Sequence, residues 1–140
     1  MALRERGGRT LPFVTMHERE GVEIAKRIVS RMAKVYADEA SHWDALHDGW
    51  TVGRINHSEA YSQDGANTNQ VESYFSRLRR MVVGQHHRVS AKYLYQYANE
   101  AAWKEDHRRL SNGVAFAQTL GLALTSPVSR EWAGYWQRAL

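Results

Sequence analysis

The chain has 140 residues, 43% of them hydrophobic, and this length suits one compact domain. Its 19 Lys and Arg residues exceed its 15 Asp and Glu residues, so its charge favours a polyanion such as nucleic acid as a partner. The sequence contains no cysteine, which excludes disulfides and thiolate sites, and no apolar run reaches the roughly 20 residues of a membrane helix. We therefore expect a cytoplasmic protein with no membrane partner.

The N-terminal third of the chain alternates between strand and helix patterns. A short strand is predicted at Leu11–Thr15, after a Gly-Gly-Arg turn. Apolar residues at helical spacing predict a helix from Glu20 to Met32, and a second strand follows from Lys34 to Asp38. This order predicts an α/β sheet. Since parallel strands place functional groups at their C-terminal ends, Asp38 is a candidate site residue.

Two further elements are predicted between Asp38 and the middle of the chain. Ser41 with Asp44 three residues later has the form of a capping box, which predicts the start of another helix. Thr51–His57 is a third strand candidate and is followed by a polar loop. The predicted order thus continues as strand, helix, strand, helix and strand.

The second half of the chain is predicted to be helical. The most regular pattern predicts a helix over residues 70–83, ended by Gly84, with its apolar face formed by Val71, Tyr74, Phe75, Leu78, Met81 and Val82. Ser90 opens another predicted helix that extends to about Leu110. Two shorter helices are predicted at Val114–Leu124 and Ser129–Arg138. We therefore expect a helical C-terminal extension.

Two carboxylates stand out as candidate metal ligands. The predicted helix over residues 70–83 places Glu72, Ser76 and Arg79 along one polar face. Asp38 and Glu72 can converge on one divalent cation, because carboxylates from separate elements commonly hold Mg²⁺. The alternative is a structural role for both: Glu72 would form a capping pair with Asn69, and Asp38 would cap the helix that follows it.

A long basic stretch follows the second of these carboxylates. The sequence contains no acidic residue between Glu72 and Glu100. The cations and histidines of this stretch are Arg77, Arg79, Arg80, His86, His87, Arg88 and Lys92. Such a stretch neutralises phosphates, and it predicts DNA binding that weakens as salt rises. The alternative is a solvated basic face, with Tyr74, Phe75 and Tyr97 in the core.

Five segments of the chain share the pattern of one protein family. They are Val35–Glu39, Gly53–His57, Asn67–Arg80, Gly84–Ser90 and Tyr97–Lys104. In these segments the chain resembles the ISXO-like group of bacterial insertion-sequence DDE transposases, from about residue 9 to about residue 112. The asparagine-rich lead into Glu72 and the basic helix after it are the most specific part of the resemblance.

The resemblance implies a fold and a chemistry. The fold would be a ribonuclease-H-like mixed sheet with flanking helices. The family uses two divalent ions, Mg²⁺ or Mn²⁺, held by three acids, for phosphoryl transfer at the DNA ends of a transposon. By position, Asp38 corresponds to the second acid and Glu72 to the third, and both would be catalytic and metal-binding. Arg79 corresponds to the basic residue seven positions after the third acid and would contact DNA.

The chain departs from the family pattern upstream of Leu11. The family's first acid lies on the first strand of the sheet, and this chain has no aspartate before Asp38. We therefore expect residues 1–140 to form a single partial catalytic domain that lacks the N-terminal strands, a truncated and catalytically impaired copy.

Two alternatives remain open. One is a non-catalytic DNA-binding or oligomerising module, which would pair with a second copy of itself or with a full-length transposase. The other is an unrelated basic α/β protein, in which Asp38 and Glu72 would lie far apart.

Overall fold

The computed structural model describes residues 1–55, 68–129 and 133–134. The chain divides into two compact units, Met1–Asp106 and His107–Leu140. In the first unit the strands are β1 (Ala2–Arg4), β2 (Thr10–Pro12), β3 (Lys34–Ala37) and β4 (Thr51–Arg54), and the helices are α1 (Glu20–Ile28), α2 (Asn69–Met81) and α3 (Leu94–Asp106). The second unit contains α4 (Asn112–Thr125).

The described strands form two separate two-stranded sheets. β1 and β2 are antiparallel, with Leu3 opposite Leu11. β3 and β4 are parallel, with Ala37 opposite Arg54. The strands predicted near Leu11, Lys34 and Thr51 are confirmed, but in the described part of the chain they do not join into the single mixed sheet that was expected. Sequence analysis did not predict the strand Ala2–Arg4, which pairs with β2 as a hairpin.

A first core cluster forms around α1. Its buried residues are Val22, Ala25, Leu46 and Trp50. Leu3 of β1 and Val35 of β3 pack against this cluster, so both sheets contribute to it. α1 ends at Ile28 and not at Met32, because Val29 adopts an extended backbone conformation.

A second core cluster lies between α2 and α3. Its buried residues are Tyr74, Met81, Ala101 and Ala102, and Ala2 of β1 packs against them. The small side chains of α3 allow α2 to approach closely, and the Tyr74 hydroxyl donates a hydrogen bond to the Ala98 carbonyl at 3.2 Å. Arg77 pairs with Glu105 at 2.8 Å, and the Glu105 side chain is only 1% exposed. The core position predicted for Tyr74 is confirmed.

A polar network attaches the N-terminal hairpin to the end of α3. The Arg4 guanidinium donates to Asp106 Oδ1 at 2.7 Å and also contacts the Thr10 hydroxyl. Asp106 accepts two further bonds from Thr10, from the backbone N–H at 2.9 Å and from the hydroxyl at 2.7 Å. Arg4 also reaches Gln70 of α2 at 3.3 Å. Because the Arg4 and Asp106 side chains are mostly buried, this network fixes β1 against both helices.

Two further helix predictions differ from the structure. The segment Ser41–Leu46 is a 3-10 helix without a side-chain cap, and Asp44 pairs with Arg54 and does not complete a capping box. Gly84 does not end the helix before it, because the backbone continues through Val82–His86 as one wide π-type turn. The turn stops at His87, whose φ of 57° interrupts the helical hydrogen bonding.

The second unit is described mainly by α4, which confirms the helix predicted at Val114–Leu124. Its N-terminus is capped by Ser111, whose hydroxyl accepts from the Val114 N–H at 3.5 Å. None of the helices that the structure describes is long and apolar enough to cross a membrane. Most of the helix predicted at Ser129–Arg138 lies outside the described residues, as do the last two residues of the strand predicted at Thr51–His57.

The buried hydroxyl of Tyr74 generates a prediction about alkaline stability. Burial raises the pKa of Tyr74 to about 12, because the phenolate would be poorly solvated. The folded-state pKa thus lies above the ordinary value of 10.0, so the contribution of Tyr74 to stability is constant below pH 10 and is lost as the pH rises towards 12. Phenylalanine cannot ionise, so we expect Tyr74→Phe to lose roughly 1–3 kcal/mol less unfolding free energy at alkaline pH than the native chain.

Urea unfolding between pH 7 and pH 11.5 measures this effect. At pH 7 the variant should lose about 1 kcal/mol, the typical contribution of one hydrogen bond. Tyr95→Phe is the matched control, since Tyr95 is 54% exposed. An alkaline loss of equal size in both variants would show that Tyr74 is not its source.

Candidate metal and DNA-binding site

Asp38 is the first residue after β3, at the C-terminal end of the parallel strand pair. This position agrees with the one predicted for it. Its Oδ1 accepts a hydrogen bond from the Ala40 N–H at 3.1 Å, which shapes the turn before the 3-10 helix. The helix itself is preceded by Ala40, so Asp38 orders the approach to this helix but is not its capping residue.

The turn after β3 is held by the guanidinium of Arg54, the last residue of β4. Its Nε donates to the Asp38 carbonyl at 2.7 Å, and one terminal nitrogen donates to the Ala40 carbonyl at 2.7 Å. Its other terminal nitrogen pairs with Asp44 Oδ1 at 2.5 Å. The β3–β4 register makes this possible, because Arg54 lies opposite Ala37 and the Ile55 N–H donates to the Ala37 carbonyl at 3.1 Å. Sequence analysis did not identify Arg54, since its three partners are specified only by the folded register.

Glu72 lies in the first turn of α2 on its exposed face. Its Oε1 accepts from the Thr68 hydroxyl at 2.6 Å, and its backbone N–H donates to the Thr68 carbonyl at 3.0 Å. The capping pair proposed between Asn69 and Glu72 is wrong, because Asn69 is already inside the helix and Thr68 occupies the N-cap position. A negative charge in this turn is favoured by the helix dipole.

Asp38 and Glu72 line the same cavity, which has a volume of about 680 Å³. The two carboxylates therefore open onto a common space. Glu18 and His42 line the same cavity, although sequence analysis did not propose them. The two carboxylates are exposed, so solvent and ligands can reach them. Among the described residues no group of three histidine or acidic side chains is placed to hold a metal ion.

Arg79 is an exposed cation on the same face of α2 as Glu72. Glu72, Ser76 and Arg79 are all exposed, which confirms the predicted polar face. Other proposed DNA-contacting residues are also exposed: Arg80, His87, Arg88 and Lys92. These side chains can be reached by a phosphate backbone from solvent.

Two of the proposed DNA-contacting residues have packing roles. Arg77 is half-buried and pairs with Glu105, so its charge is already balanced within the α2–α3 interface. The His86 ring lies 4.5 Å from the Tyr97 ring, centroid to centroid, and is partly covered by it. Arg77 and His86 are therefore less accessible to DNA than the exposed residues Arg79, Arg80, His87, Arg88 and Lys92.

The Arg54 hydrogen bonds generate a stability prediction. Arg54→Ala should lower the free energy of unfolding by about 1–2 kcal/mol, because two backbone carbonyls lose a charged donor. Asp44→Asn is the matched control: it removes only the ion pair, and the Asp44 side chain is 70% exposed. Its cost should be well under 1 kcal/mol. Urea denaturation of the two variants checks this order, and a larger cost for Asp44→Asn would contradict it.

Comparison with known proteins agrees with the resemblance stated above. The chain matches the family described as ISXO2-like transposase domain over residues 1–106, a range that coincides with the first structural unit. Comparisons with curated proteins and with solved structures gave no match. Since the matched range covers most of the 140 residues, the chain belongs to the ISXO2-like transposase domain family of insertion sequences.

Proposed function

We propose that this chain acts in DNA transposition, with Asp38 and Glu72 holding a divalent cation and the exposed arginines of α2 holding the DNA backbone at a transposon end. The observation that carries this proposal is the shared cavity: a strand-end carboxylate and a helix-borne carboxylate, 34 positions apart in the sequence, line one opening. Membership of a DDE transposase family supports the same chemistry.

The two carboxylates suit Mg²⁺ or Mn²⁺. Such ions are usually bound through one or two carboxylates, with water and substrate phosphate completing the shell. When bound, the ion would activate an attacking water or 3′-hydroxyl and neutralise charge on the transferred phosphoryl group. Arg54 holds the backbone of Asp38, and Thr68 holds Oε1 of Glu72, so both carboxylates are oriented by neighbours.

The arginines provide the proposed contact with DNA. Arg79 lies seven residues after Glu72, which is about two turns or roughly 10 Å along α2. That offset would allow one DNA strand to reach the carboxylates while a nearby phosphate of the same strand lies at Arg79. A planar guanidinium binds two phosphate oxygens at once, which favours arginine over lysine at such a position.

Asp38 and Glu72 would supply two of the three acids used in the family, so we propose weak phosphoryl transfer by the chain alone. Two carboxylates leave the position of a second ion poorly defined, and in-line transfer benefits from two ions that hold the attacking and leaving oxygens. The second candidate function, a DNA-binding module without catalysis, is favoured by the absence of a three-ligand group among the described residues. DNA binding that is indifferent to metal would support it.

Metal binding is tested by thermal unfolding with MnCl₂ at about 5 mM. The ion should raise the melting temperature of the native chain by roughly 2–4 °C, because it binds only the folded state. Glu72→Gln and Asp38→Asn should abolish this rise. Asp48→Asn is the matched control, since Asp48 is an exposed carboxylate that does not line the cavity. Equal shifts in all four proteins would argue against the site.

DNA binding is tested by fluorescence anisotropy with a 30-base-pair duplex across salt concentrations. The logarithm of the affinity should fall linearly with the logarithm of salt, and Arg79→Gln should reduce the slope by about one. Arg27→Gln makes the same charge change at one exposed residue of α1 and should leave the slope unchanged. If the two variants behave alike, only net charge is responsible and α2 is not the binding surface.

A further inference from the structure

Each of the two sheets has a strand edge that is unpaired within the described part of the chain, and both edges line one cleft. Ala2 and Arg4 of β1 and Lys34 and Tyr36 of β3 all line a cavity of about 790 Å³. Ala2 and Tyr36 also line the cavity that contains Asp38, so the two cavities meet between the strands. Within the described residues β1 pairs only with β2, and β3 only with β4. The cleft therefore separates two sheet edges that each lack a neighbour among the described strands.

The hydrogen bonds of β1 show which of its backbone groups point into the cleft. Met1 and Phe13 exchange bonds at 2.9 and 2.8 Å, and the Glu5 N–H donates to the Arg9 carbonyl at 3.1 Å. Backbone groups alternate in direction along a strand, so Leu3 also bonds to β2. The N–H and C=O groups of the intervening Ala2 and Arg4 are directed away from β2, towards the cleft.

The same alternation applies to β3. The Ala37 carbonyl accepts from the Ile55 N–H at 3.1 Å, so the backbone groups of Ala37 and Val35 face β4. The groups of Lys34 and Tyr36 face the opposite way, into the cleft. The two edges thus present backbone donors and acceptors to each other across the space in which a strand could lie.

Helices cover this cleft on both faces. On one face, Leu3 and Val35 pack against the core cluster formed around α1. On the other face, Ala2 packs against the cluster between α2 and α3, and Val71 of α2 lines both cavities. A strand in this position would be buried on both faces, so it must be apolar on both faces.

The charges at the two ends of the cleft differ in sign. One end is lined by Arg6, Arg9 and Lys34, with Glu5 as the acid beside them. The other end opens at Asp38 and Glu72. The charges therefore favour a segment with acidic residues at one end and basic residues at the other.

We propose that the cleft between β1 and β3 is a docking site for an extended segment of another polypeptide. This segment pairs with both strand edges and joins the two sheets into a single five-stranded sheet. The segment is apolar over about four residues, the length of β3, and carries opposite charges at its two ends. This is β-strand addition, with an edge on each side of the added strand. The proposal concerns the sheets and does not depend on metal or DNA binding.

The test uses synthetic peptides with a central Val-Ile-Val-Val segment, two glutamates at one end and two lysines at the other. A second peptide with the charged ends exchanged covers the opposite strand direction. Amide hydrogen exchange of the native chain is followed by NMR in a metal-free buffer with each peptide. We expect one peptide to slow the exchange of the Ala2, Arg4, Lys34 and Tyr36 amides by at least about ten-fold. The Leu3 and Val35 amides, which already bond within the sheets, should change less.

Two controls make the outcome decisive. A peptide with proline in place of the central isoleucine cannot continue a strand and should protect none of these amides. In the chain, Lys34→Pro removes one edge donor at the first residue of β3, where proline is tolerated, and should weaken peptide binding about three- to ten-fold relative to Lys34→Ala. If neither charged peptide protects both edges, or if all amides slow equally, the proposal is wrong.

Discussion

The position of the candidate site depends on the hydrogen bonds of one guanidinium. Arg54 ends β4 and donates to two carbonyls of the turn that follows β3, so the parallel register of the two strands determines the position of Asp38. A turn of exposed residues has little burial to hold it, and charged donors to carbonyls are among the stronger hydrogen bonds available to it. The ion pair with Asp44 contributes less, because the Asp44 carboxylate is mostly in water.

Basic residues divide into two groups with different physical roles. Arg4 and Arg77 are paired with Asp106 and Glu105, and these pairs attach the N-terminal hairpin and α2 to α3. Removing one partner would leave a buried charge uncompensated, so these arginines are required by the fold. Arg79 lies on the opposite, exposed face of α2 and has no such packing requirement. Net charge alone therefore overstates the surface available to DNA, and exposure identifies the cations that can contact it.

Local patterns predicted the elements better than their assembly. The apolar spacing around Tyr74 predicted α2, and its core position is confirmed, because helical periodicity is visible within one segment. Arg54 and the Arg4–Asp106 pair were not predictable in this way, since their partners are up to 102 positions away and are brought together only by folding. β1 was missed because three residues beside charged ones carry no clear alternation. The shared cavity of the two acids was expected from the family resemblance more than from residue spacing.

The two sheets and the two acids belong to one structural arrangement. Because β1 and β3 stand on opposite sides of a covered cleft, the cavity that contains Asp38 continues between the strand edges. Exposed strand edges are a liability in a folded protein unless they are covered or paired. Here the helices cover the faces of the cleft, while neither edge has a partner among the strands that the structure describes. A strand added at this position would extend beside β3 towards Asp38, so its end residue would lie next to the cavity that Asp38 and Glu72 share. Completion of the sheet and completion of the site would then be a single event.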